Sequence, residues 1–274
     1  MGEIIREFFG FGELGYTREP EGYMSWQHLT FVTILMIIMV ASAVYFGRKM
    51  RHRVDRDKNK VLIWTAILID GFELIKIVLH LVDSDDPKAI LGVLPLFLCS
   101  IQLITIPLAA FTGGRMKEAS LDFVSIFGLL GAVLGTYLAG NNYAAYPVIS
   151  FTNVVSGITH SLSGFAALYI IISGMASMKR RNIPLTYAIL TGFAIAAYLV
   201  NLVGDYNYMF LKRGDGTPYD ILYNLVGGNQ IIYPILVVVL FFLYILLFNV
   251  VFTLVRKKIN EAKVTKKESE AATV

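Results

Sequence analysis

The chain has 274 residues, of which 56% are hydrophobic and only 16% charged, with a formal net charge of +4 and a mean hydropathy of +0.63. Soluble domains carry roughly a quarter charged residues, so this composition excludes an ordinary soluble enzyme and predicts an all-α polytopic membrane protein. The cationic residues fall in short separators between apolar runs rather than on one aromatic-flanked face, so no nucleic-acid partner is expected.

Residues 1–25 read as an outer-side interfacial segment. In "EIIREFFGFGEL", Ile4, Ile5, Phe8 and Phe9 recur at helical spacing beside Glu3, Arg6 and Glu7, the pattern of a short helix lying at headgroup level. This acidic stretch precedes no small-residue cleavage pattern, and signal-peptide removal is not expected.

Residues 26–255 predict a domain of seven transmembrane helices, at 26–47, 61–83, 89–112, 119–139, 151–178, 184–206 and 229–255. Each supplies about the 20 apolar residues that cross a hydrocarbon core of about 30 Å. Eighteen Lys and Arg gather on one side of these spans and five on the other, with Lys76 inside the second span. The positive-inside bias then sets the N-terminus outside and the C-terminus in the cytoplasm of a multi-pass cell-membrane protein. Ahead of the last span, "GTPYDILYNLVGG" predicts an interfacial helix at about 217–227, with Thr217 as cap, Pro218 in the first turn and Gly227 at the end. Residues 256–274 read as a basic cytoplasmic tail with a frayed end. In the fourth span, Gly131 and Gly135 of "GLLGAVLG" form a small-xxx-small pair suited to close helix packing.

Charged groups in a bilayer centre cost at least about 2.5 kcal/mol and face a partner or a wet cavity. Asp70, Glu73, Lys76 and His80 project within about 120° of one another at 100° per residue, so one face of the second span is polar. Either it carries a structural ion pair, Glu73 with Lys76 at i, i+3, or it lines a polar chamber; Asp70 and His80 need partners beyond that pair. With the predicted orientation, Cys99 lies roughly 15 Å from the outer end of the third helix and His160 at a similar depth in the fifth. His28, Asn201, Asp205 and Asn207 approach the same outer half.

Cys99 is the only cysteine. A thiol becomes a nucleophile beside a base, usually a neutral histidine, and His160 is the candidate base, with Gln102 one turn after Cys99 as a donor to an oxyanion. The competing reading is a small apolar side chain in a greasy helix. Thr159 and Ser161 read as hydroxyls bonded to their own helix. No G-x-S-x-G elbow, H-E-x-x-H pair, P-loop or Cys cluster is present. His28, His80, His160 and Glu73 lack an i, i+4 histidine pair, so neither a metal nor a cofactor is expected.

The order "WQHL", "LPLFLCSIQ", "GITHSLSG" and "GDYNYMFL", followed by a short loop and a proline-containing last span, resembles the bacterial YwaF-like integral membrane proteins. That group is similar in turn to a eukaryotic acyltransferase that remodels ether phospholipids through a cysteine and a histidine. The resemblance runs from about residue 26 to 250 and rests on Trp26, His28, Pro95, Cys99, His160, Asn207 and Tyr208. It implies that Cys99 accepts the acyl group and His160 is its base. Phe97 stands where the pattern leads one to expect histidine.

Beside a non-catalytic scaffold or partner-stabilising role, for which the chain offers no direct signal, two functions remain open at this level. One is a lipid acyltransferase or acyl hydrolase acting from the outer leaflet, with membrane phospholipid or lysophospholipid as partner and Asp70, Glu73, Lys76, His80, Gln102, His28, Asp205 and Asn207 as candidate substrate contacts. The other is a small-solute or proton-coupled transporter, or a sensor, built on the charged face of the second span.

Overall fold

The computed structural model describes residues 2–10, 16–82 and 88–271. Eleven α-helices follow one another, with no strand among the described residues. They are α1 (Gly2–Phe9), α2 (Trp26–Met50), α3 (Asp55–Val82), α4 (Ala89–Gly92), α5 (Gln102–Phe111), α6 (Gly114–Tyr137), α7 (Gly140–Ala145), α8 (Phe151–Ile172), α9 (Ile183–Val203), α10 (Asp220–Leu225) and α11 (Ile232–Ala271). Five segments are long and apolar enough to cross a membrane: Trp26–Met50, Gly114–Ala145, Phe151–Ile172, Arg180–Val203 and Ile232–Ala262. The protein is an all-helical, polytopic membrane protein.

Local chemistry sets the helix ends. The Ser25 hydroxyl accepts from the His28 N–H at the start of α2, and Ser150 from the Asn153 N–H at the start of α8. Helix α8 stops at Ile172 rather than at 178. Gly174 there adopts a left-handed φ of 79°, and the Gly174 and Met175 N–H groups fold back on the Ile171 and Ile170 carbonyls, a Schellman closure.

The third predicted helix is broken. Between α4 and α5, residues 93–101 form turns: Pro95 lacks an N–H and pushes Leu94 out of the helical region, and the Leu96 N–H turns back to the Leu94 carbonyl at 2.8 Å. Cys99 therefore sits on irregular backbone just before α5, not on a continuous helix. Non-helical backbone at membrane depth is tolerated where protein surrounds it or a cavity is lined by it. The preceding separator, 83–87, lies outside the described residues.

The expected frayed tail is also replaced, because α11 runs unbroken to Ala271. Its Lys, Glu and Ala residues are good helix formers, and Lys257 pairs with Glu261 at 3.8 Å. The two short non-spanning helices form as α1 and α10, the latter starting at Asp220 rather than 217, with its N–H on the Thr217 backbone carbonyl and no side-chain cap.

Helix α6 is the centre of the bundle. Every residue from Ala119 to Gly128 is buried, the mark of a helix surrounded by others. It packs chiefly on α8, which α2 and α3 also contact, while α5 lies between α3 and α6. Close approach of α6 to α8 depends on Gly128, where an added Cβ would stand 2.7 Å from the Ser163 carbonyl oxygen. On the outer face of α11, Ile235, Leu243, Leu247 and Val250 are exposed, as lipid contact requires.

Candidate functional site

Helices α3 and α8 and the turn before α5 enclose a cavity of about 40 Å³ lined by Glu73, Lys76, Cys99, Ser100, Ser156, Thr159 and His160, with Ile69, Leu103 and Ser163 completing the wall. Cys99 is partly buried, as is His160, and the thiol and ring lie within electrostatic contact of each other. The broken third span and the fifth predicted span thus bring together the two residues singled out for chemistry.

The tautomer of His160 follows from its surroundings. Nδ1 lies 2.7 Å from the Ser156 backbone carbonyl, which can only accept, so Nδ1 carries the hydrogen and Nε2 holds the lone pair. The Ser156 hydroxyl approaches the same Nδ1 at 3.4 Å. Nε2 is buried and makes no hydrogen bond of good geometry. A buried acceptor without a donor is costly, and the Cys99 thiol is among the proton-bearing groups that line the same cavity.

Room for this pair comes from α6. A Cβ added at Gly135 would land on the Cδ2 and Nε2 edge of the His160 ring, and one at Gly131 would stand 3.4 Å from the Cys99 Cβ. The glycines read in the sequence as a packing motif admit the imidazole and the cysteine.

The polar face of α3 combines both readings made of it. Glu73 and Lys76 form an ion pair at 2.5 Å, and both line the cavity with Cys99 and His160. Asp70 and His80 do not line it; Asp70 Oδ1 is buried without a hydrogen-bond partner, and His80 is exposed. Gln102 is fully buried at the start of α5 and also lies off the cavity wall. Its Oε1 accepts from Thr105 at 3.1 Å, and its Nε2 has no acceptor.

The remaining candidates belong to other clusters. His28 is fully buried with both nitrogens used: Nδ1 accepts from the Met24 N–H at 3.2 Å and Nε2 donates to the Thr136 carbonyl at 3.0 Å. Its ring lies 3.8 Å from that of Tyr143, the contacts of a structural joint between α2, α6 and α7. Asn207 closes the loop after α9, accepting from the Lys212 and Arg213 N–H groups and donating to Asp215. Asp205 bridges Lys212 and Arg213 on the same exposed loop; Arg213 above all, then Lys212, holds its carboxyl below the usual carboxylate range. Thr159 and Ser161 donate to the carbonyls of their own helix as expected.

Sequence reasoning missed Ser156, Ser100 and Ser163 as cavity residues. Ser156 stands one helical turn before His160, the spacing at which an α8 carbonyl can meet the ring. The other two carry no signal beyond a hydroxyl. Among the described residues, no group of three His, Cys, Asp or Glu gathers to hold a metal.

A model of the TMEM164 family matches residues 23–252, most of the chain and all of this cavity. The chain belongs to the TMEM164 family. No curated protein and no solved structure matches it. Membership covers both halves of the site, the Cys99 turn and the His160 helix, and leaves α1 and the end of α11 outside the shared region. The protein is therefore a multi-pass membrane protein of the TMEM164 family.

Proposed function

We propose that the protein is a lipid acyltransferase, or an acyl hydrolase, that works through a thioester on Cys99. The observation that carries this is the His160 ring with its Nδ1–H on the Ser156 carbonyl and a bare, buried Nε2 beside the thiol. That is the tautomer a general base needs. The resemblance to the YwaF-like proteins and to a eukaryotic Cys/His acyltransferase supports the same assignment.

In the first half-reaction His160 Nε2 takes the thiol proton and the sulfur attacks the acyl carbonyl carbon. The tetrahedral oxyanion collapses, the carbon–oxygen bond to the donor breaks, and His160 returns the proton to the departing alkoxide. In the second, Nε2 takes a proton from an acceptor hydroxyl or from water. Its oxygen attacks the thioester, the carbon–sulfur bond breaks, and the thiol is restored. Lys76, held by Glu73, lines the same cavity as a cation available to developing negative charge, and the pair offers a polar contact to a headgroup.

A cavity of about 40 Å³ holds a water or two, not a lipid, so the acyl chain enters from the bilayer as the walls part. We infer seven crossings, with α3 turning its ion pair inward and residues 89–111 crossing as a broken helix. The charge bias favours an outside N-terminus, a plasma-membrane location and access from the outer leaflet. A transport or sensing role draws on the charges of α3, but Glu73 and Lys76 share their cavity with Cys99 and His160, which favours chemistry at that point. The test is incubation of purified protein with phospholipid labelled in its acyl chain, with and without lysophospholipid. Label appearing in the acceptor identifies a transferase, and free fatty acid a hydrolase. Neither product appearing contradicts the proposal.

A further inference from the structure

Cys99 lacks the support of a continuous helix, so something else must set its position. Its turn closes on Phe97, whose carbonyl accepts the N–H groups of Ser100 at 2.9 Å and Ile101 at 3.2 Å. The Phe97 ring is clasped from outside by the loop after α9, standing 4.9 Å from the ring of Tyr208 and 6.4 Å from that of Phe210. The Tyr208 hydroxyl donates to the Leu91 carbonyl at 2.8 Å, and the Tyr206 hydroxyl to the Lys88 carbonyl at 3.3 Å. One loop thus grips the cysteine-bearing stretch at residues 88, 91 and 97.

That loop is itself pinned. Asn201, buried at the end of α9, receives the Tyr208 N–H at 2.8 Å and donates to the Tyr208 carbonyl at 3.0 Å. The next two residues, Met209 and Phe210, take left-handed φ values of 55° and 54°. Such a conformation is costly for non-glycine residues and persists only where contacts enforce it. Tyr208 is 2% exposed, so its hydroxyl and ring are committed inward.

We propose that Tyr208 is a positioning residue for the Cys99 thiol: through the Leu91 carbonyl and the Phe97 ring it holds the turn where the sulfur meets His160. Its functional meaning rests on the acyltransferase assignment above. The geometric claim does not, because Cys99 is the sole cysteine and thiol labelling reads it alone.

The experiment is a double-mutant cycle on the full-length protein in detergent, following iodoacetamide labelling at pH 7.5 in the parent, Tyr208→Phe, His160→Ala and the double variant. Loss of the hydroxyl bond is expected to slow labelling about threefold or more in the parent background. In the His160→Ala background the same change should shift the rate by less than about 1.5-fold, since there is no base left from which to misplace the thiol. Phe97→Leu, which removes the ring and keeps the hydroxyl bond, should repeat the pattern and serves if Tyr208→Phe does not fold. Equal factors in both backgrounds, an unchanged rate, or faster labelling in Tyr208→Phe overturns the proposal. Hydroxylamine-labile acylation of the parent is scored in parallel. The cycle without acylation retires the acyltransferase and keeps the positioning role; acylation without the cycle does the reverse.

Discussion

His160 directs Nδ1 at the Ser156 carbonyl oxygen, 2.7 Å away on its own helix, and this single contact decides which nitrogen faces the thiol. A backbone carbonyl cannot be titrated or rotated away without unwinding α8, so the imidazole is held in one tautomer by the helix that carries it. A side-chain carboxylate orients the histidine of the Ser-His-Asp triad; His160 is oriented by a backbone carbonyl instead.

The ring's place depends on an absent side chain. Gly135→Ala puts a methyl group where the Cδ2 and Nε2 edge of His160 lies. The ring must leave, and overpacking of this kind costs about 1–3 kcal/mol. We expect a lower thermal midpoint and acyl-adduct formation reduced about as far as by loss of the base, 10²-fold or more. Gly131→Ala, with its new Cβ 3.4 Å from that of Cys99, should be much milder in both assays. Equal behaviour of the two variants in a thermal-shift and adduct comparison would show that the glycines only pack helices.

The ion pair of α3 makes an independent demand. Lys76→Met leaves Glu73, 9% exposed, without its cation, and breaking a buried pair costs about 3 kcal/mol or more. Lys76→Met with Glu73→Gln removes both charges and should recover much of that stability. Thermal unfolding in detergent reads the difference. A double variant no more stable than Lys76→Met would contradict the claim that the uncompensated Glu73 charge is what destabilises the single variant.

On the loop after α9, Asp205 provides a pH test. Its carboxyl is held below the ordinary range by hydrogen bonds from Arg213 first and Lys212 second. A depressed carboxylate stabilises the loop above its unfolded value, about 3.9, and that contribution is lost as pH falls through the lower folded value. Protection of the Lys212 and Arg213 amides in pulsed hydrogen exchange, corrected for intrinsic rates, should hold steady from pH 8 to about pH 5. It should decline only below about pH 4. Asp205→Asn should lack that decline and should be cut faster by trypsin after Lys212 and Arg213 at pH 7.5; a parent decline near neutrality contradicts the assignment.

Much of the bundle was legible because apolar runs long enough to cross a bilayer leave few other options. The third span misled because apolar composition cannot distinguish a continuous helix from a broken one. Pro95 was the only local mark of the break, and it placed Cys99 on a turn. Cys99 and His160 were readable as a pair through a family resemblance and a depth estimate, since both are rare reactive residues in an apolar chain. Ser156 was not, because its contribution is a backbone carbonyl that every residue possesses. Gly131 and Gly135 showed that space was needed but not for what. His28 looked like a site residue for the same reason as His160, a histidine in an apolar span; its two satisfied nitrogens set it apart from His160, whose Nε2 has no hydrogen-bond partner. The helical tail was misread because Lys and Glu without an apolar stripe suit a solvated helix as well as a frayed end.

The most direct measurement is intact-protein mass spectrometry after incubation with phospholipid, on the parent, Cys99→Ala and His160→Ala, each confirmed folded by thermal unfolding. A thioester on Cys99 predicts a mass increase of one acyl group in the parent, removed by hydroxylamine, absent in Cys99→Ala and strongly reduced in His160→Ala. An unmodified parent, or an adduct that survives in Cys99→Ala, contradicts it.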